Sequence, residues 1–273
     1  MKKLGLFAAL VLAVSVFQSC QKEPLDPHAG KEAPQLPAAA TFILPIDQKF
    51  KDGFTNSDPD ERTINNWGHS VANVIFWNTV LTVHTAVPVL AFYESFNHEA
   101  VYQGGGIWLW AYTVSDNSGT YHAKLYGELL VNSEVKWDMY ISKDGAFSDV
   151  LWYSGITAWD QSYASWTLNY NPFNPTPFIT IEYLKDNGAG QASIRYTNVI
   201  PGDAGNGSYI EYRESADASA EFDRAYDVFK SDIDNLLEIN WNSIDSHGRV
   251  RDFEKFGDLD WHCWGTDLQD AQC

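Results

Sequence analysis

From residue 107 to residue 212 the apolar residues recur with a period of two, and this alternation constrains the fold more than any other feature of the chain. Eight segments, 107–114, 123–131, 135–141, 150–156, 164–170, 178–183, 192–199 and 209–212, are short, rich in aromatic and β-branched residues, and bounded by turn residues. In Ala164-Ser165-Trp166-Thr167-Leu168-Asn169-Tyr170 the alternation is strict, so such a strand has one face for a core and one for solvent. Between the segments, Asp116-Asn117-Ser118-Gly119, Lys143-Asp144-Gly145 and Asp186-Asn187-Gly188 supply residues that tolerate the left-handed backbone of tight hairpins. Consecutive strands joined this way form an antiparallel meander. Residues 221–242 read as a further hairpin turning at 231–235, because Leu237, Ile239 and Trp241 alternate with Glu238, Asn240 and Asn242. A last strand is expected at 249–253.

One stretch breaks the pattern. From Thr63 to Tyr93 there is no Asp, Glu, Lys or Arg, and apolar residues fall on nearly every side of a helical wheel. Asn73, Asn78, His84 and Pro88 interrupt it as a membrane span. Two buried strands would suit its β-branched residues, but its length favours a helix, bent near Pro88 and enclosed by the rest of the fold. The expected class is therefore all-β with one buried helix: an antiparallel meander forming a strongly curved sheet or an up-and-down barrel around that helix. A two-sheet sandwich leaves the helix no burial site.

The N-terminus sets the compartment. Met1-Lys2-Lys3, an apolar stretch at 4–17 and then Gln18-Ser19-Cys20 follow the order of a secretory signal, too short to span a bilayer. A cysteine directly after a small residue at this junction resembles the lipobox of bacterial lipoproteins. That resemblance implies a diacylglycerol thioether on Cys20, cleavage before it and acylation of the new amino group, including palmitate-type chains. Phe17 and Gln18 depart from the aliphatic and small residues usual there. Gln21-Lys22-Glu23 resembles the charged tag that carries lipoproteins of the Bacteroidetes group to the outer face of the outer membrane. Together these imply a signal peptide at 1–19, a lipidated cysteine and flexible Pro-rich spacer at 20–40, and one β-rich domain at 41–273.

Loss of Lys2 and Lys3 with residues 1–19 reduces 18 basic residues to 16 against 36 acidic ones, a net charge of −20. Such a surface argues against nucleic acid and against direct docking on anionic lipid, leaving the lipid on Cys20 as the membrane attachment. Cys263 and Cys273 are expected to form a disulfide that pins the C-terminal tail in an oxidising compartment.

No catalytic constellation emerges. His69, His84, Glu94, His98 and Glu99 lie on or near the apolar segment without metal-site spacing, and core or helix-end roles account for them better. The loop 201–207 lacks the order of a calcium loop. Among 36 acidic residues no pair can be chosen as a glycosidase dyad, and there is no nucleophile elbow, P-loop or dinucleotide turn. No metal or cofactor is expected. Of the tryptophans that could stack on sugars, most are read as core; Trp152, Tyr153 and Trp159 are expected at a rim, as ligand-binding residues. The density of aromatics between Gly248 and Trp264 reads as a stapled tail. The favoured expectation is a non-enzymatic, membrane-anchored lipoprotein binding an apolar or amphipathic ligand within a curved sheet. A glycan-binding accessory lipoprotein or a structural envelope protein are the alternatives.

Overall fold

The structure, a computed structural model, describes residues 26–46, 65–217 and 219–273. Residues 1–25, which hold the expected signal peptide and Cys20, lie outside the described residues.

Fourteen strands form one antiparallel sheet whose spatial order is the chain order, β1 to β14. They are β1 (Val101–Gly104), β2 (Ile107–Asp116), β3 (Gly119–Leu129), β4 (Glu134–Lys143), β5 (Phe147–Ala158), β6 (Tyr163–Asn171) and β7 (Asn174–Asp186). Then follow β8 (Gln191–Asn198), β9 (Tyr209–Ser215), β10 (Arg224–Lys230), β11 (Asn235–Trp241), β12 (Gly248–Arg251), β13 (His262–Trp264) and β14 (Asp270–Ala271). The expected meander is therefore present, including the hairpin at 231–235. The last expected strand splits differently: β12 ends at Arg251, and Phe253–Phe256 turn into a short helix, α2, capped by the Asp252 side chain. The hairpin chemistry holds at Gly145, where φ is +71°, but in the β7–β8 turn the left-handed residue is Gly190 rather than Gly188.

The single long helix, α1, spans Asn65–Ser95. Its two parts, Asn65–Thr82 and Thr85–Ser95, meet at 73°. Pro88 offers no N–H to the carbonyl of residue 84 and its ring crowds that group, which places the break one turn before the proline. No single helix among the described residues is long and apolar enough to cross a membrane, although the bent pair has the length and composition.

The sheet curls around α1. The helix packs against β2 near one end of the meander and against β10, β12, β13 and β14 at the other. The backbone N–H of Asn66 donates to Asp270, and the Asn66 side-chain amide donates to the carbonyl of Cys263 at 2.8 Å. At its other end the Tyr112 hydroxyl donates to the carbonyl of Ala91. No pairing joins β1 to β14 among the described residues. The sheet is thus the open, curved alternative, with the helix bridging its two ends instead of strand pairing closing a barrel.

Burial of α1 is one-sided, in contrast to the enclosure expected. Trp67, Ser70, Val71, Val74, Trp77, Leu81, Thr85, Phe92 and Ser95 are buried at helical spacing, while Phe76 and Tyr93 are exposed on the other face. An aromatic cluster fills the space beneath. Phe42 stacks on Phe92 at 4.9 Å and meets Tyr153 and Trp166 at 5.0 and 5.4 Å between ring centroids.

Phe42 lies just past residues 20–40, which were expected to be a flexible spacer. From residue 26 onward that expectation is corrected. Asp26 accepts hydrogen bonds from the Tyr102 hydroxyl and from Gly105 N–H, Gln161 bonds the backbone of Leu36 and Ala38, and Ala33 and Leu36 pack on the core. Apolar side chains interspersed among the prolines give this stretch surface to bury, which overrides its extended-chain composition.

Candidate ligand-binding cleft

Antiparallel connectivity places the turns β6–β7, β8–β9 and β10–β11 along one rim of the sheet. There the exposed side of α1 stands away from the wall and leaves a cleft of about 370 Å³. Its helix side is Asn73, Phe76, Trp77 and Val80; its sheet side includes Tyr170, Phe178, Ile179, Ile200 and Phe229. Tyr170 and Phe178 meet edge to face at 5.9 Å. Phe76, 64 % exposed, stands at the mouth, where a large apolar side chain gains little from water and much from an apolar partner.

A smaller cavity of about 140 Å³ continues along the same seam. Leu81, Thr82, Thr85, Ala86 and Val89 of α1 face Ile181 and Tyr196 across it, with Phe42, Ile43 and Leu44 as a third wall. Ile179 of the cleft and Ile181 of the cavity lie two residues apart on β7, on the same face, and Trp77 and Leu81 are one helical turn apart. The Tyr196 hydroxyl is buried with no hydrogen-bond partner among the described residues, and burial pushes its pKa well above that of free tyrosine.

Polar groups gather at the cleft's mouth. Lys230 and Asp232 line it, and Lys230 pairs with Glu254 at 2.5 Å. Asn73 donates to the carbonyl of His69 at 3.0 Å, and His69 Nε2 lies 2.6 Å from the buried Asp252 carboxylate. Burial pushes the Asp252 carboxyl up, but the hydrogen bonds from His69 and Asn235 outweigh it and hold the group below the usual carboxylate range. This His–Asp pair ties α1 to the strand-end cap of α2.

The residues expected as ligand-binding do not converge on this cleft. Trp152 and Tyr153 are buried, the latter in the aromatic cluster with Phe42, so the expected rim position is corrected for both. A β-bulge leaves Trp152 unpaired opposite the Met139–Tyr140 step of β4 and breaks the alternation, so both neighbours are buried. Neither the Trp152 ring nitrogen nor the Tyr153 hydroxyl has a hydrogen-bond partner among the described residues. Trp159 alone of the three is exposed. Of eleven tryptophans nine are buried, so they form core and not a sugar platform. Cys263 and Cys273 are joined by a disulfide, as expected.

The candidate metal residues also stay apart. His98 stacks on Tyr112 at 4.8 Å and contacts Glu94, His69 is held by Asp252, and the His84 side chain is outside what is described. No cluster of three or more His, Cys, Asp or Glu side chains suited to a metal occurs among the described residues. In the loop 201–207 Asp203 accepts from Asn198, an internal hydrogen bond of the turn.

The chain matches no protein-family profile, no curated protein and no solved structure. The reading of its function rests on the cleft itself. Sequence reasoning missed Phe76, Tyr170, Phe178 and Phe229 as cleft residues. The signal available was the uninterrupted apolar surface of α1, which exceeds what one buried stripe requires.

Proposed function

We propose that this protein is a lipid-anchored envelope protein, held to the membrane through Cys20, that binds an apolar or amphipathic ligand between α1 and the curved sheet. The observation that carries the binding proposal is the apolar cleft lined by Phe76, Trp77, Val80, Phe178, Ile179 and Phe229. A ligand chain entering there would cover Phe76 and run toward the cavity at Leu81 and Ile181. Volumes of this order suit a small ligand or a section of an acyl chain. A glycan-binding role has less support, because Trp159 is the one exposed tryptophan.

The anchor is supported by the arrangement of Lys2, Lys3, the apolar stretch and Cys20. Labelled palmitate should be incorporated by the wild-type chain in a bacterial host and not by C20S. Native mass spectrometry of purified C20S protein should show a co-purifying lipid, and the apolar dye N-phenyl-1-naphthylamine should bind saturably. A lipid-free spectrum together with no saturable dye binding would rule out the ligand-binding role.

A further inference from the structure

A groove of about 520 Å³ lies at the opposite rim, formed by the β7–β8, β9–β10 and β11–β12 ends. Gln191, Ser193, Arg213, Phe222, Asn240 and Arg249 are among its lining residues. Register places Ser193, Arg213, Ala225, Asn240 and Arg249 side by side across five consecutive strands.

Arginine is scarce and concentrated here. Five of the chain's six arginines lie on strands β8 to β12. Four of these have carboxylate partners: Arg195 with Glu211, Arg213 with Asp227, Arg224 with Asp223, and Arg251 with Glu238. Arg249 makes no ion pair among the described residues. Its Nε–H donates to Asn240 Oδ1 at 3.2 Å, and its guanidinium packs 4.6 Å from the Phe222 ring centroid and 4.2 Å from that of Trp261. These contacts fix the plane of the guanidinium and leave its terminal N–H groups without acceptors among the described residues.

The acids of the groove are already engaged. Asp186 accepts from Gly188 and Ala189 N–H, Asp223 from Ser243 and Arg224, and Glu214 from the Tyr212 hydroxyl. Gln191 and Ser193 stand on β8, four strands from Arg249 at the far side of the groove. What the groove presents at the Arg249 end is one oriented cation, without an ion-pair partner among the described residues, beside an aromatic wall. In a chain of net charge −18 such a cation has no role in bulk solubility.

We infer that this rim groove is a second binding site, which takes a small organic carboxylate, its carboxylate received by the terminal N–H groups of Arg249. A planar guanidinium and a carboxylate match in a two-bond fork, and the aromatic contacts lower the entropy lost on forming it. Phe222 covers the ligand's apolar side. The site is independent of the cleft between α1 and the sheet.

The test is a titration of the protein with D-glucuronate, and with D-glucose at matched sodium chloride, followed by ¹H–¹⁵N spectra of the Arg249 Nε–H and Trp261 indole. Glucuronate should shift both resonances saturably with a dissociation constant on the order of 1 mM, and glucose should not. R249Q should weaken binding at least tenfold, with the indole resonance of buried Trp137 unchanged as evidence of folding. R249K, which keeps the charge but not the fork, should fall between. Absence of saturable shifts, equal responses to glucose, or undiminished binding by R249Q and R249K would each overturn the inference.

Discussion

The buried Asp252 carboxylate sits 2.6 Å from His69 Nε2 and thereby couples the first turns of α1 to the end of β12, 183 residues further along the chain. Asn235 donates to the other oxygen at 2.8 Å, and Glu254 N–H is capped by the same oxygen at 3.1 Å. Removing the carboxylate strands His69 and Asn235 together. D252A is expected to destabilise the protein by about 3–5 kcal/mol, measured by urea unfolding. Because the folded-state pKa of Asp252 is lowered, its contribution is fully present above the ordinary carboxylate value near 4 and is lost as pH falls through the folded value. Between pH 5 and pH 3, D252N should therefore lose less stability than the wild-type protein does.

The Trp137 indole N–H donates to Thr157 Oγ1 at 2.9 Å, and both side chains are buried. T157V keeps the shape and removes the acceptor, leaving a buried donor unsatisfied. We expect a loss of about 1–3 kcal/mol with an unchanged near-ultraviolet spectrum.

Two glycines should respond in opposite directions. A Cβ on Gly248 would come 2.3 Å from Trp264 and 2.5 Å from the Asn240 carbonyl oxygen, so G248A forces the β11–β12–β13 edge apart. A Cβ on Gly68, in the first part of α1, meets nothing within 4 Å. G68A should stabilise by up to about 1 kcal/mol, while G248A should cost about 1–3 kcal/mol or more. Thermal melts of the two variants separate these outcomes.

The disulfide holds β14 and the tail against β13, and Asn66 bonds the carbonyl of Cys263. Its loop is short, with a sequence separation of 10. Replacing both cysteines by serine should lower stability by about 2–3 kcal/mol. Hydrogen exchange should speed up first at β13, β14 and the start of α1, because their contacts share this anchor.

Phe76 is exposed at the mouth of the cleft and carries little of the core. F76S should leave the unfolding midpoint within about 0.5 kcal/mol of wild type, yet reduce N-phenyl-1-naphthylamine binding severalfold. Retained dye affinity would place the dye elsewhere on the protein.

Strand identity was legible in residues such as Ala164 to Tyr170 because alternation is local: each residue's face follows from its neighbours by the pleat. The helix could be read from the uncharged length of its segment, and the Cys263–Cys273 bond from the count of cysteines left for pairing. Trp152 and Tyr153 were misplaced because an aromatic strand residue suits a rim and a core equally, and only burial by Phe42, Phe147 and Trp166 distinguishes them. Val101–Gly104 and the two-residue β14 carried too little pattern to be seen.

The sequence by itself determined the kinds of element and their order, since hydrophobic period, turn chemistry and absence of charge act over a few residues. Tertiary structure alone decided that the sheet stays open, that α1 buries one stripe and leaves Phe76 beside a cleft, and that among the described residues Arg249 is the arginine without a carboxylate. These depend on accumulated strand twist and on where Asn66 and Ala91 tie the helix to the two ends of the sheet. Such long-range geometry sums over many strands and leaves no local trace in the chain.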